Sequence, residues 1–121
     1  MTSLNHRFSG LAGSLVLAAG LLVTAQASAE ESAIEAGKKL AFDRKKGNCL
    51  ACHQIEGGSL MGNIGPPLVA MKSRFPDKAK VRAQIFDPTK ANPHTIMPPF
   101  GKYRILSDKE IDLVAEFIYS L

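Results

Sequence analysis

The sequence predicts an all-α chain, and three observations carry that prediction. A helix-capping pattern stands at residues 32–35 and again at 107–110. The stretch between the two helices is broken by paired prolines and glycines, and no segment shows the apolar/polar alternation of a strand. Length and composition narrow the class further. With 121 residues the chain suits a single domain and is too short for a two-domain Rossmann enzyme or a TIM barrel. Hydrophobic residues at 45% and charged residues at 21% exclude disorder. The 15 basic and 11 acidic residues leave a formal charge of +4, with no Lys/Arg block interleaved with aromatics, so nucleic acid is not an expected partner. Two cysteines are too few for a disulfide scaffold, a four-cysteine zinc site or an iron–sulfur cluster.

Residues 1–29 read as a secretory signal. Arg7, with His6, gives a positive start, residues 11–23 form an uncharged apolar run, and Ala27-Ser28-Ala29 has the small-x-small pattern of a cleavage site before Glu30. Ala25-Gln26-Ala27 is a second such site two residues earlier. The apolar run is shorter than the roughly 20 residues a bilayer span requires. The expected organisation is a cleaved signal over 1–29 and one domain over 30–121, exported to the periplasm with no membrane span in the mature chain. A domain that small has a thin core and needs a staple or a cofactor.

Ser32-Ala33-Ile34-Glu35 is expected to open a helix reaching about residue 43, with Gly37 and Ala41 on one face. A glycine inside a helix costs roughly 0.5–1 kcal/mol relative to alanine, which makes sense if another helix or a flat cofactor comes very close. At the other end, Ser107-Asp108-Lys109-Glu110 caps a helix whose Ile111, Val114, Ala115 and Ile118 form an apolar stripe flanked by Phe117 and Leu121. The small-residue face of the first helix is its expected neighbour. A short helix is expected from Lys78 to Phe86, with Asp77 as its N-cap and Pro88 beyond its end.

In the middle stands Cys49-Leu50-Ala51-Cys52-His53. C-x-x-C-H is the attachment signature of a c-type haem: two thiols for the two vinyl groups, and a histidine placed to bind iron. A thioredoxin-like pair calls for a preceding strand and a βαβ pattern, which are missing. A zinc site calls for two more Cys or His ligands, and beyond the signal only His94 remains besides His53. A plain disulfide leaves His53 unexplained. A covalent haem also answers the core problem, since it offers a large apolar disc around which the proline-rich loops form walls.

The sixth iron ligand must come from downstream, where Met61, Met71, Met97 and His94 are candidates. Met97 is favoured because Pro98 and Pro99 follow it and fix the loop, so little entropy is lost on binding. Met61 lies among glycines close to His53, and Met71 suits the core. His/Met ligation favours electron transfer and raises the reduction potential. Gly65-Pro66-Pro67-Leu68 is a rigid turn, and the Pro66 carbonyl is a candidate acceptor for His53 Nδ1–H, which would orient the ring and strengthen it as a ligand.

With C-x-x-C-H, G-P-P-L and M-P-P in this order, the chain resembles class I cytochromes c across residues 30–121. A narrower likeness rests on Gly47 to His53, Gly62-Asn63-Ile64-Gly65-Pro66-Pro67-Leu68, Ile85-Phe86-Asp87-Pro88, and Asn92-Pro93 through Met97-Pro98-Pro99-Phe100-Gly101. These segments look like the SoxX family, the monohaem subunit of the sulfur-oxidising SoxAX complex. The resemblance implies an all-α cytochrome c fold with one haem c on Cys49 and Cys52. It also implies His53 and Met97 as axial ligands and a periplasmic heterodimer with a SoxA-like cytochrome. SoxAX is an L-cysteine S-thiosulfotransferase that joins thiosulfate to a cysteine of the SoxYZ carrier, with the catalytic haem on SoxA. This chain would then catalyse nothing alone and would pass electrons to a downstream small cytochrome.

The alternative is a free cytochrome c that shuttles electrons between respiratory or photosynthetic complexes. The two readings differ in surface. A shuttle needs a charge-ringed docking edge, and a subunit needs a permanent, partly apolar interface. Lys72, Arg74, Lys78, Lys80, Arg82 and Lys90 outnumber Asp77 and Asp87, which suits an acidic partner or simply a solvated face. A ligand-sensing or peroxidase-like haem protein needs a vacant sixth position, and Met97 argues against it.

Overall fold

The computed structural model describes residues 17–121; the start of the expected export signal, Arg7 included, lies outside the described residues. Among the described residues four α-helices follow in order: α1 Leu17–Phe42, α2 Met71–Arg74, α3 Lys78–Phe86 and α4 Asp108–Ser120. Short 3-10 turns lie at Cys49–Ala51 and Pro88–Lys90. No strand occurs among the described residues, in keeping with the all-α expectation.

The frame is the crossing of the first and last helices. A Cβ on Gly37 would sit 1.9 Å from the Leu113 carbonyl oxygen and 2.9 Å from Phe117 Cβ. Only glycine lets the two helices approach so closely, and it is the neighbouring helix, rather than a flat cofactor, that requires it. Ala41, fully buried, continues the same face, and Phe42 meets Phe117 edge to face with centroids 5.7 Å apart. On α4, Ile111, Val114, Ala115, Phe117 and Ile118 are all buried, so the expected stripe is the core face and Phe117 belongs to it.

One boundary differs from expectation. α1 runs continuously through Ser32, which therefore lies inside the helix and does not cap it. Alanine and leucine dominate residues 17–29, and both are strong helix formers, so the helix propagates across the capping pattern.

Elsewhere the caps act as the sequence proposes. The Ser107 hydroxyl accepts from Glu110 N–H, while the Glu110 carboxylate accepts from Ser107 N–H, completing the capping box of α4. The Asp77 carboxylate accepts from Ala79 N–H at 2.9 Å and starts α3. α3 lies along α4 through apolar contacts of Val81 and Ile85 and through surface pairs: Lys78 with Glu116, and Arg82 with Asp112 at 2.5 Å and Asp108 at 3.2 Å. α2, which nothing in the sequence announced, is entered through Ala70 at φ 51° and tied to the chain end by Met71 N–H donating to the Leu121 carbonyl.

Candidate haem-binding site

The C-x-x-C-H segment is wound into one tight turn. Asn48, at φ 48°, leads into it, Cys52 N–H and His53 N–H both donate to the Cys49 carbonyl, and the winding puts Cys49, Cys52 and His53 on one wall of a cavity of about 720 Å³. The following loop is stitched onto this turn. Gly62 N–H donates to Leu50 O, Gly65 N–H to Cys52 O and Leu68 N–H to Gln54 O, all between 2.8 and 2.9 Å. These bonds bring the Pro66 carbonyl to 2.7 Å from His53 Nδ1. A carbonyl oxygen only accepts, so Nδ1 carries the proton, and Nε2 keeps its lone pair for a metal. Gly65 is required for this approach: a Cβ there would lie 2.5 Å from His53 Cε1 and 2.9 Å from Nε2. The Arg74 guanidinium, donating to Pro67 O at 2.9 Å, steadies the loop from the other side.

The four ligand candidates separate by position. Met97 and Met71 line the cavity, whereas Met61 and His94 do not. The Met61 sulfur instead accepts from Ile55 N–H at 3.2 Å, and His94 is an exposed residue whose own N–H is held by the Asn92 side chain. Met71 is 4% exposed and belongs to the core cluster. Met97 is half-buried, its N–H donates to Thr95 Oγ1 at 3.1 Å, and its sulfur lies 4.0 Å from Gln84 Nε2 on α3.

The rest of the cavity wall is apolar: Leu68 and Phe75 from the middle, Val81 and Ile85 of α3, Phe100 and Leu106 after the methionine loop, Val114 and Ile118 of α4. Its rim carries Arg44, Lys45, Lys46 and Arg74 together with Ile64, Ile96 and Ile105, which are 65%, 76% and 40% exposed. Burial pushes the Cys49 thiol up to about 11, the reverse of the acidic thiolate that a C-x-x-C redox centre uses. An apolar cavity with two adjacent thiols, an oriented imidazole and a thioether matches the donor set and shape of a haem bound through its vinyl groups.

A salt bridge locks the cysteine loop to α4. Lys46 Nζ lies 2.8 Å from Glu110 Oε1, and this hydrogen bond, followed by those from Ser107, holds the Glu110 carboxyl down to about 2. A carboxylate with a depressed pKa contributes its stability fully above its ordinary value of 4.5, and that contribution is lost as pH falls through about 2. Acidification across that window is expected to lower the thermal midpoint more steeply in the native protein than in Lys46→Met. Equal slopes in melts recorded between about pH 2 and 7 would show that the bridge is too solvent-screened to matter.

An all-α domain closing on a C-x-x-C-H cavity defines a small haem protein, and the comparison with protein families agrees. The family model described as cytochrome c matches residues 34–121, and the chain belongs to the cytochrome c family. Membership implies covalently bound haem c, with Cys49 and Cys52 at the attachment spacing before His53. A similar protein is the "Uncharacterized lipoprotein" of Aquifex aeolicus (strain VF5), 37% identical over 73 residues. The match covers 59% of this chain and 35% of that protein, so the chain spans about a third of its relative's length. No described helix is long and apolar enough to cross a membrane.

Proposed function

We propose that the protein is a periplasmic one-electron carrier whose haem is attached at Cys49 and Cys52 and bound axially by His53 and Met97. The observation that carries this reading is the single cavity lined by all four side chains. Bound there, haem c supplies reversible one-electron exchange at its iron. The chain's own residues do the rest. The Pro66 carbonyl, by accepting from Nδ1, fixes the His53 tautomer and raises its donor strength. The apolar walls exclude water, which stabilises the less charged reduced state. Pro98 and Pro99 limit the excursions of Met97. The export pattern of residues 1–29, with cleavage near Ala29–Glu30, supports the compartment.

The particular role proposed is that of a SoxX-like subunit, joined to a SoxA-like cytochrome in a complex that conjugates thiosulfate to SoxYZ. The motif resemblance supports it, and so does the exposed apolar rim of Ile64 and Ile96, a surface suited to a permanent interface. The cations at the same rim favour the second reading, a free shuttle that docks transiently on acidic partners. Both cysteines being consumed by haem, no thiol remains for sulfur chemistry, so the chain alone is expected to show no thiosulfate-dependent activity. The test is reconstitution of the purified holoprotein with a SoxA-like cytochrome, the carrier, thiosulfate and an electron acceptor, following haem reduction and carrier mass. A stable complex with carrier modification supports the subunit role. No complex, with rapid electron exchange with respiratory membranes, replaces it with the shuttle.

A further inference from the structure

The segment that carries Met97 leaves α3 at Pro88 and returns at Gly101, and both of its ends are fastened to the same dipeptide. At the return, Gly101 N–H and Lys102 N–H donate to the Phe86 carbonyl at 3.1 and 3.2 Å. Gly101 presses so closely on the Phe86 ring that a Cβ there would lie 2.1 Å from Cδ2. At the departure, Asp87 Oδ1 accepts from Thr89 N–H at 3.2 Å and from the Thr89 hydroxyl, starting the Pro88–Lys90 turn. The second oxygen, Oδ2, faces Lys102 Nζ at 3.5 Å. One carboxylate thus touches Thr89 at the start of the loop and Lys102 just past its end. It is also the buried charged side chain among the described residues, 7% exposed. A buried carboxylate requires partners to replace lost water, and Thr89 and Lys102 supply them here.

We propose that Asp87 is a positioning residue that closes the 88–101 loop at its base and thereby holds Met97 at the cavity. The inference rests on the reading of Met97 as an axial ligand. A loop of this length gains freedom when its base opens, and the methionine then spends part of its time away from the iron. An external ligand binds that open fraction, so its apparent affinity rises in proportion to the opening.

The experiment uses oxidised full-length holoprotein, titrated with imidazole and followed by its absorption, with the sulfur-to-iron charge-transfer band recorded first. Asp87→Ala removes charge-assisted hydrogen bonds at both loop ends and is expected to raise imidazole affinity by about ten- to hundredfold. Thr89→Val, which keeps the carboxylate and Lys102, is expected to raise it by about three- to tenfold, and it decides the question if Asp87→Ala gives no holoprotein. Asp87→Asn, still able to accept from Thr89, is expected to lie nearer the native protein. Asp77→Ala removes a cap of the same kind at the far end of α3 and is expected to lower the thermal midpoint without changing imidazole affinity. The proposal is overturned if Thr89→Val leaves affinity unchanged with the band intact, or if Asp77→Ala raises it as much for an equal loss of stability. A native protein without the sulfur band, or a band that survives Met97→Ala, overturns the ligand reading and this proposal with it.

Discussion

Secreted protein carrying Cys52→Ala is expected to yield little holoprotein, and the haem-free chain is expected to be largely unfolded. The reason is the size of the cavity relative to the stability of a small domain. Without haem, the apolar side chains that line the cavity of about 720 Å³, among them Leu68, Val81, Ile85, Leu106, Val114 and Ile118, face water. An ordinary domain has only ~5–15 kcal/mol of net stability with which to absorb such exposure. Folding of this chain is therefore bound up with filling the cavity, and a single remaining thioether leaves the filling insecure. Mass spectrometry of the native protein should show one haem and no free thiol, and far-ultraviolet circular dichroism of the haem-free variant should show loss of helix. A native haemochrome spectrum of the non-covalent b type would refute the attachment.

Met97→Ala is expected to abolish the weak charge-transfer band of the oxidised protein and to lower the reduction potential, because the thioether favours the reduced iron. The informative control is Met71→Leu, since Met71 also lines the cavity. Its side chain is 4% exposed and packed in the core, so a volume-conserving change there costs less than about 1.5 kcal/mol and leaves the band intact. Met61→Leu is expected to be silent as well, its sulfur being turned to Ile55 N–H. Loss of the band in Met71→Leu but not in Met97→Ala would exchange the two assignments.

What the sequence disclosed follows the range of the interactions involved. α3 and α4 begin where local signals place them, because Asp77 and the Ser107–Glu110 pair act on backbone groups within three residues. Gly37 was legible as a close approach, since a glycine in a helix carries a cost that a packed neighbour explains. The four residues of α2 were not legible. Their order comes from Ala70 in the left-handed region and from the Leu121 carbonyl, fifty positions away in the chain. The Lys46–Glu110 bridge and the contacts of Asp87 with Lys102 were invisible for the same reason. The extent of α1 was missed because a capping pattern is only a permission to begin, and the alanine-rich residues before it continue the helix. At the cavity, the residue types pointed to a haem and favoured Met97, while the position of Met61 and His94 away from the cavity wall depends on the fold.

The crossing at Gly37 joins the two ends of the domain, and this gives its assembly a direction in time. A chain is made from its amino terminus, so the turn at 49–53 emerges well before residues 108–120. Until α4 arrives, α1 has no partner for its small-residue face, and the cavity lacks the wall supplied by Val114 and Ile118. Attachment that precedes the docking of α4 would meet a site still missing that wall.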